Sequence, residues 1–139
     1  MTAKEFLQQY AEADSIAKRL KKEYELEEMM IDSIRSPLSG DGTPRGGGIS
    51  RTTENKAVEL ADQLKVWKDA EIEALRIRQR VFNTIRDIPG VEGQVLYERY
   101  ILLKTWVEVA IEIHYSLEGA FAVHRRALDI VEEKIKRFA

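Results

Sequence analysis

The sequence of 139 residues contains no cysteine, three prolines and two histidines. Without cysteine, the chain can form neither a disulfide nor a thiolate metal site, and we expect a reducing, cytoplasmic setting. Its apolar runs fall well short of the roughly 20 residues that a membrane span needs, and no apolar signal core stands near residue 1. We therefore expect neither a disulfide-stabilised secreted scaffold nor a membrane protein.

A strong charge of either sign is also missing, because the formal net charge is -2. Dedicated DNA-binding domains of this size are usually basic, so the overall balance gives no support to nucleic-acid binding. Hydrophobic residues make up 44% and charged residues 33% of the chain, which is typical of helix-rich globular proteins. The length fits one compact domain, or a small domain with a long helical arm.

Residue arrangements typical of catalysis are not visible either. There is no Ser/His/Asp or Cys/His combination, and the acidic residues fall at surface positions of predicted helices, so no catalytic carboxylate pair can be identified. His114 and His124 lie near Glu112 and Glu118, but no third ligand accompanies them at a fixed spacing. We expect no enzymatic activity, no metal site and no cofactor.

Two long amphipathic helices are predicted in the first 88 residues. The first covers residues 3–35, where apolar side chains recur at steps of three, four or seven and so share one face. They are Phe6, Tyr10, Ala13, Ala17, Leu20, Tyr24 and Ile31. The second begins at a cap on Thr52 or Thr53 and ends near Arg86. Its predicted stripe is Val58, Ala61, Leu64, Trp67 or Lys68, Leu75 and Val81.

A segment rich in Gly, Pro and Ser separates these helices at residues 36–52. We interpret it as a flexible hinge. A phosphate-binding loop is the alternative, but the segment lacks the Gly-Lys-Ser/Thr ending and a preceding strand. Residues 1–88 are therefore predicted to form a long antiparallel helical hairpin. Strict heptads are not sustained, so a regular coiled coil is only partly supported.

Residues 89–139 have the spacing of a helix-turn-helix. Pro89 and Gly90 end the hairpin, and a first helix is predicted over residues 91–101. A second helix is expected over Trp106–Ile113, with Thr105 and Glu108 as its capping box. Such a three-helix module would use its last helix as the reading element.

The turn and the third helix follow directly. His114 stands where a left-handed residue is often needed, and Ser116 is placed to cap the third helix, which we expect to continue to Phe138. Helical spacing directs four residues inward: Ala120, Val123, Ala127 and Leu128. The same spacing directs six outward: Leu117, Glu118, Phe121, Ala122, His124 and Arg125.

The segment from about residue 91 to residue 128 resembles region 4 of sigma-70-type factors. The pattern Tyr-Glu-Arg-Tyr at 97–100, Thr-Trp-x-Glu-Val-Ala-x-x-Ile-His-Tyr-Ser at 105–116 and His-x-x-Ala-Leu at 124–128 carries this resemblance. It is similar to small sigma-like regulators of phages and prophages of Gram-positive bacteria, of the ArpU and RinA type. The Gly/Pro-rich loop between two long charged helices is similar to those proteins as well.

The resemblance implies transcriptional regulation through binding of double-stranded DNA, with the third helix in the major groove. Glu118, Phe121, Ala122 and Arg125 would then face bases or backbone. Lys104 and Ser116 would meet phosphates near helix N-termini. Leu117 and His124 complete the candidate DNA-binding set. RNA polymerase and a homodimer or higher oligomer are the other expected partners.

Charge within the module limits how tightly it should bind DNA alone. From residue 90 to residue 139 there are eight acidic and seven basic residues, while DNA affinity comes largely from phosphate contacts. A near-neutral module favours binding together with RNA polymerase or as an oligomer. Four arginines at the end of the second helix are either additional phosphate contacts or a solvated face; these are Arg76, Arg78, Arg80 and Arg86.

Two other functions stay open at this point. Small terminase subunits, which serve DNA packaging, also combine a helix-turn-helix with oligomerising helices. A pure interaction module would keep the shape of the motif without contacting DNA. The tryptophans do not discriminate between these functions, since Trp67 and Trp106 stand among apolar residues and are expected to anchor cores.

Overall fold

A computed structural model of the protein describes residues 1–35 and 48–138, and these residues contain helices but no strand. The predicted all-α class is therefore confirmed. The elements are α1 (Ala3–Arg35), α2 (Gly48–Ile85), α3 (Gly90–Leu96), a π-helical turn (Tyr97–Ile101), α4 (Trp106–Ile113) and α5 (Leu117–Phe138). Of the predicted hinge at residues 36–52, residues 36–47 lie outside the described part of the chain.

The start of α2 differs from the prediction. The helix begins at Gly48, so residues 48–52 belong to it rather than to the loop, and neither Thr52 nor Thr53 precedes its first turn. The first turn of a helix lacks intrahelical acceptors for its N–H groups in any case, so a threonine one turn later does not fix where the helix starts.

Residue contacts divide the chain into two units, residues 1–14 with 73–139 and residues 15–72. The two long helices each contribute to both units. The predicted boundary between residues 88 and 89 lies inside the first unit, because the first turns of α1 and the last turns of α2 share a core with α3 and α5. As the limit of an independently folding module, that boundary stays a prediction.

The larger core of the first unit gathers residues from the start and the end of the chain. Leu7 of α1 and Val81 of α2 are fully buried there. Its other buried members are Ala3, Ile85, Ile88, Leu96, Tyr100, Ile101, Ala127 and Val131. Glu132 also accepts a hydrogen bond of 2.9 Å from the backbone N–H of Ala3, so α5 holds the first turn of α1.

The predicted apolar stripe of α2 is only partly right. Val81 is buried, but Val58 and Leu75 are 61% and 59% exposed, and Ala61 is exposed as well. The buried stripe of the first unit runs through Ala74, Val81 and Ile85. Leu75 follows Ala74 by one residue, which turns a side chain by about 100° around the helix and carries it out of the core.

A second core lies between α3, α4 and α5. Its buried members are Val95, Val109, Ala110, Ile113, Ala120 and Val123, and Val91 and Trp106 pack against it. The inward positions predicted for Ala120 and Val123 from helical spacing in α5 are confirmed. The alanines lie where the helices approach each other, since a larger side chain would separate them.

Two features fix the conformation of α3. An added Cβ on Gly93 would lie 2.0 Å from the carbonyl oxygen of Ile88, so only glycine fits at this position. The π-helical turn that follows α3 widens the helix, and both Tyr100 and Ile101 are buried although they are neighbours in sequence. The regular helical period of 3.6 residues does not predict this turn, because one inserted residue rotates every later side chain to a different face of the helix.

The second unit contains the remaining parts of α1 and α2. Tyr24 packs against Trp67 with ring centroids 5.4 Å apart, and the ammonium group of Lys68 lies 4.2 Å from the Trp67 ring centroid. The predicted role of Trp67 as an apolar anchor agrees with its half-buried position. The predicted face of α1 is also confirmed here, with Ala17 buried and Leu20, Tyr24 and Ile31 partly buried.

Candidate nucleic-acid interface

The helix α4 starts at the predicted cap. The hydroxyl oxygen of Thr105 accepts a hydrogen bond of 3.3 Å from the backbone N–H of Glu108. The same hydroxyl donates to the Glu108 carboxylate at 3.0 Å, so the carboxylate bonds to the Thr105 side chain rather than to its backbone N–H. This arrangement satisfies one of the free N–H groups of the first turn and orients α4 at a defined residue.

The turn between α4 and α5 contains the left-handed residue that the spacing predicts. His114 has φ 62° and ψ 39°. Its backbone N–H donates to the carbonyl of Ile111 at 3.2 Å, and that of Tyr115 donates to the carbonyl of Ala110 at 3.0 Å. This pair of hydrogen bonds is a Schellman motif, which ends a helix and reverses the chain direction within a few residues.

The helix α5 begins immediately after this turn. The hydroxyl of Ser116 accepts a hydrogen bond of 3.0 Å from the backbone N–H of Gly119, as expected for an N-cap. A Cβ on Gly119 would lie 3.1 Å from the Ser116 hydroxyl oxygen and 3.2 Å from Cδ2 of Tyr115. Close packing of the turn against the first turn of α5 therefore explains a glycine inside a helix.

Most of the candidate DNA-binding residues lie on the exposed side of α5. Leu117, Glu118, Phe121 and Arg125 are exposed, while Ala122 is half-buried. Arg125 forms no ion pair within the described chain, whereas the neighbouring Arg126 contacts Glu92 at 3.3 Å. The first three turns of α5 thus present two cations, Arg125 and Arg126, one anion and two large apolar side chains to solvent.

The expected exposure of His124 is wrong. The side chain is 8% exposed, and its Nε2 shares a hydrogen bond of 2.6 Å with the Tyr100 hydroxyl. Burial, together with the charges of Lys4 and Arg99, lowers the pKa of His124 to about 4. Burial raises the pKa of Tyr100 to about 12. Both groups are therefore neutral at pH 7, and spacing along α5 could not reveal a partner 24 residues away.

The ammonium group of Lys104 is paired with acidic side chains of the protein. Its ammonium group lies 2.5 Å from the carboxylate of Glu98, which is itself buried, and 3.9 Å from that of Glu112. The hydrogen bond with Glu98 raises the pKa of Lys104. The charge of Lys104 is thus largely compensated, because burying Glu98 without a cation would be costly. Of the two predicted phosphate contacts, Ser116 is the more exposed.

The arginines at the end of α2 are spread around the helix. Arg76, Arg80 and Arg86 are exposed and Arg78 is partly buried. Arg76 lies 3.8 Å from Glu73, its neighbour on the same helix. Such exposed pairs contribute at most about 1 kcal/mol, so this group agrees with a solvated helical face.

The sequence does not predict an aromatic group that joins the start of α4 to α5. Trp106 packs edge-on against Phe121 and His124, with ring centroids 5.1 and 4.6 Å apart. The guanidinium of Arg99 lies 5.0 Å from the Trp106 ring centroid.

Among the described residues, no three acidic or histidine side chains converge as metal ligands. None of the described helices is long and apolar enough to span a membrane.

Comparison of the chain with protein-family models, with curated proteins and with solved structures finds no match.

Proposed function

We propose that this protein binds double-stranded DNA through α5 and regulates transcription of phage or prophage genes. In this proposal α4, the turn and α5 act as a helix-turn-helix of the sigma region 4 type, and residues 1–88 form an antiparallel hairpin. The observation that carries the proposal is the turn itself: a left-handed His114 and a capping Ser116 join two helices over one core. That geometry leaves the first turns of α5 exposed.

Base recognition would use the exposed side chains of α5 in the major groove. An arginine at position 125 can donate two hydrogen bonds to guanine, and a glutamate at position 118 can accept one from cytosine. Phe121 offers an apolar surface for the methyl group of thymine. The Ser116 hydroxyl accepts from Gly119 and still has its own hydrogen to donate to a phosphate.

The charge balance suggests that this binding is weak in isolation. Lys104 is already paired with Glu98, and Glu118 stands on the exposed side of α5. Few phosphates are then neutralised, so affinity should be modest and strongly dependent on salt. We propose that RNA polymerase or a second copy of the chain supplies the missing affinity, with the hairpin as the contact region.

Charge reversal on α5 tests the proposal. Arg125→Glu should weaken binding to DNA from upstream of the encoding gene by about tenfold or more, because it removes an attraction and adds a repulsion. Fluorescence anisotropy with a labelled duplex measures this, and circular dichroism checks that the helices remain. Lys136→Glu makes the same charge change on an exposed residue in the last turn of α5 and should bind like the wild type. Equal affinity of the Arg125→Glu variant would contradict the placement of the DNA-facing side.

A protein-interaction role is the second candidate, and one observation favours it. Val107 and Ile111, one turn apart on α4, are 60% and 68% exposed. Aliphatic side chains that are this exposed and adjacent are typical of a contact surface. If they bind RNA polymerase, Ile111→Arg should lose the polymerase in a pull-down with purified enzyme, while Ile130→Arg on α5 should retain it. If both variants still retain the polymerase, this candidate is ruled out.

A further inference from the structure

A cleft of about 360 Å³ lies beside α4 and α5 in the first unit. The first turns of α1 form one wall and the π-helical turn and α4 form the other. Its aromatic lining consists of Tyr100, Trp106, Phe121 and His124. The volume is at the lower end of the range for small-molecule sites, so an occupant would be no larger than one or two fused rings.

The charges around the cleft are all of one sign. Lys4 and Arg99 line it, and no carboxylate does among its described lining residues. Lys4 forms no ion pair within the described chain, and the one hydrogen bond of Arg99 goes to the backbone carbonyl of Lys104 at 2.7 Å. The nearest buried acid, Glu98, is already paired with Lys104. Two uncompensated cations therefore meet at an aromatic surface, in a protein whose net charge is negative.

Arg99 is held in place at the cleft, and both cations lie within electrostatic range of His124. Both Lys4 and Arg99 act electrostatically on His124, whose pKa they help to lower. Arg99 is fixed by its hydrogen bond and by its position over the Trp106 ring. A guanidinium held in this way is ready to donate to a carboxylate without reordering.

The backbone is also strained at this place. Leu103, which lines the cleft, has φ 57°. A left-handed leucine is strained because its Cβ crowds the following carbonyl oxygen, and strained residues of this kind cluster at binding sites. Leu103 directly precedes Lys104, whose carbonyl accepts the hydrogen bond from Arg99, so the strained residue adjoins the fixed cation.

We propose that this cleft binds a small planar aromatic carboxylate. The ring would pack against the cleft surface formed by Trp106, Phe121 and His124, and the carboxylate would accept hydrogen bonds from Arg99 and Lys4. The neutral Tyr100–His124 pair forms the polar floor of the site. Neither DNA nor an oligomer is needed for this binding, although Phe121 belongs both to the cleft and to the proposed DNA contact.

The test uses the full-length protein and three probes: benzoate, its neutral analogue benzyl alcohol, and acetate, which has no ring. Binding is followed through the indole N–H resonance of Trp106 by nuclear magnetic resonance, with Trp67→Phe to assign the two tryptophans. Benzoate should shift this resonance saturably below about 10 mM. Benzyl alcohol and acetate should each bind at least about tenfold more weakly, because each lacks one of the two recognised features.

Two variants locate the site. Lys4→Glu, an exposed change on α1, should weaken benzoate about tenfold, whereas Lys22→Glu in the other unit should leave it unchanged. Ala11→Leu should abolish binding by filling the cleft while keeping a good helix-forming residue. The proposal is overturned if benzoate leaves Trp106 unshifted, if benzyl alcohol binds equally well, or if Lys4→Glu and Ala11→Leu bind benzoate like the wild type.

Discussion

Individual residues decide several features that helix propensity alone would misjudge. Gly93 stands inside α3, where alanine would ordinarily be preferred by about 1 kcal/mol. Contact with the carbonyl oxygen of Ile88 reverses that preference. His124 likewise looks like an exposed helical residue by spacing, but it is buried against Tyr100.

Gly93→Ala should lower the free energy of unfolding by roughly 2–3 kcal/mol, because the new Cβ would overlap a backbone atom that cannot rotate away. Urea denaturation followed by circular dichroism measures the change. Gly119→Ala is the matched control, since its Cβ would meet side-chain atoms at 3.1 and 3.2 Å rather than a backbone atom at 2.0 Å; its loss should be smaller. A Gly93→Ala protein as stable as the wild type would contradict this packing.

The buried His124 should make stability depend on pH. Above pH 6.5 the histidine is neutral in both folded and unfolded chains. Between pH 6.5 and about 4 the unfolded chain takes up a proton that the folded protein refuses, since the pKa of His124 is lowered to about 4. The free energy of unfolding should therefore fall by roughly 2–3 kcal/mol as the pH decreases through this window.

His124→Gln removes that titration while keeping a polar partner for Tyr100. Its stability should decline less than that of the wild type between pH 7 and pH 4.5, as measured by urea denaturation at each pH. His114→Asn, at the exposed turn, should follow the wild-type curve. Parallel curves for the wild type and His124→Gln would show that His124 is not the responsible group.

At the scale of elements, the sequence predicted what local chemistry controls. The bounds of α4, its Thr105 cap, the left-handed His114 and the Ser116 cap depend on contacts within a few residues, and the structure confirms each of them. The π-helical turn and the start of α2 were not predicted. The π-helical turn depends on one extra residue in the helix where it packs on the core. The start of α2 has no strong local sequence signal at Gly48.

The turn between α4 and α5 offers a direct test at this scale. His114→Gly should raise the free energy of unfolding by roughly 0.5–1 kcal/mol, because glycine adopts a positive φ without the strain of a Cβ. His114→Val should lower it, since a β-branched residue fits this conformation worst. Thermal unfolding of both variants measures the difference. A glycine variant less stable than the wild type would contradict the left-handed turn.

At the scale of the whole molecule, long-range packing was beyond the sequence. Leu7 was not predicted as a core residue, and Leu75 was predicted as buried but is exposed. Both depend on which elements meet in the first unit, and helical periodicity gives only the face that a helix would bury. The aromatic cleft is unpredictable for the same reason, because Lys4, Arg99 and Phe121 are distant in sequence.

The proposed role of α5 also belongs to this scale, because it depends on the surface that the folded protein presents. Exposed Leu117, Glu118, Phe121 and Arg125 provide groups that can contact base edges, while phosphate contacts are few. Such a surface predicts low affinity with measurable sequence preference. RNA polymerase or self-association should raise the affinity without changing that preference.

The most direct test is a titration of a labelled duplex from the region upstream of the encoding gene, set against a scrambled duplex of the same composition. It should be carried out at low and at higher salt, with and without RNA polymerase. We expect saturable binding that favours the upstream duplex by about tenfold or more and that weakens as salt rises. Equal affinity for both duplexes, or no binding even with polymerase present, would contradict DNA recognition by α5.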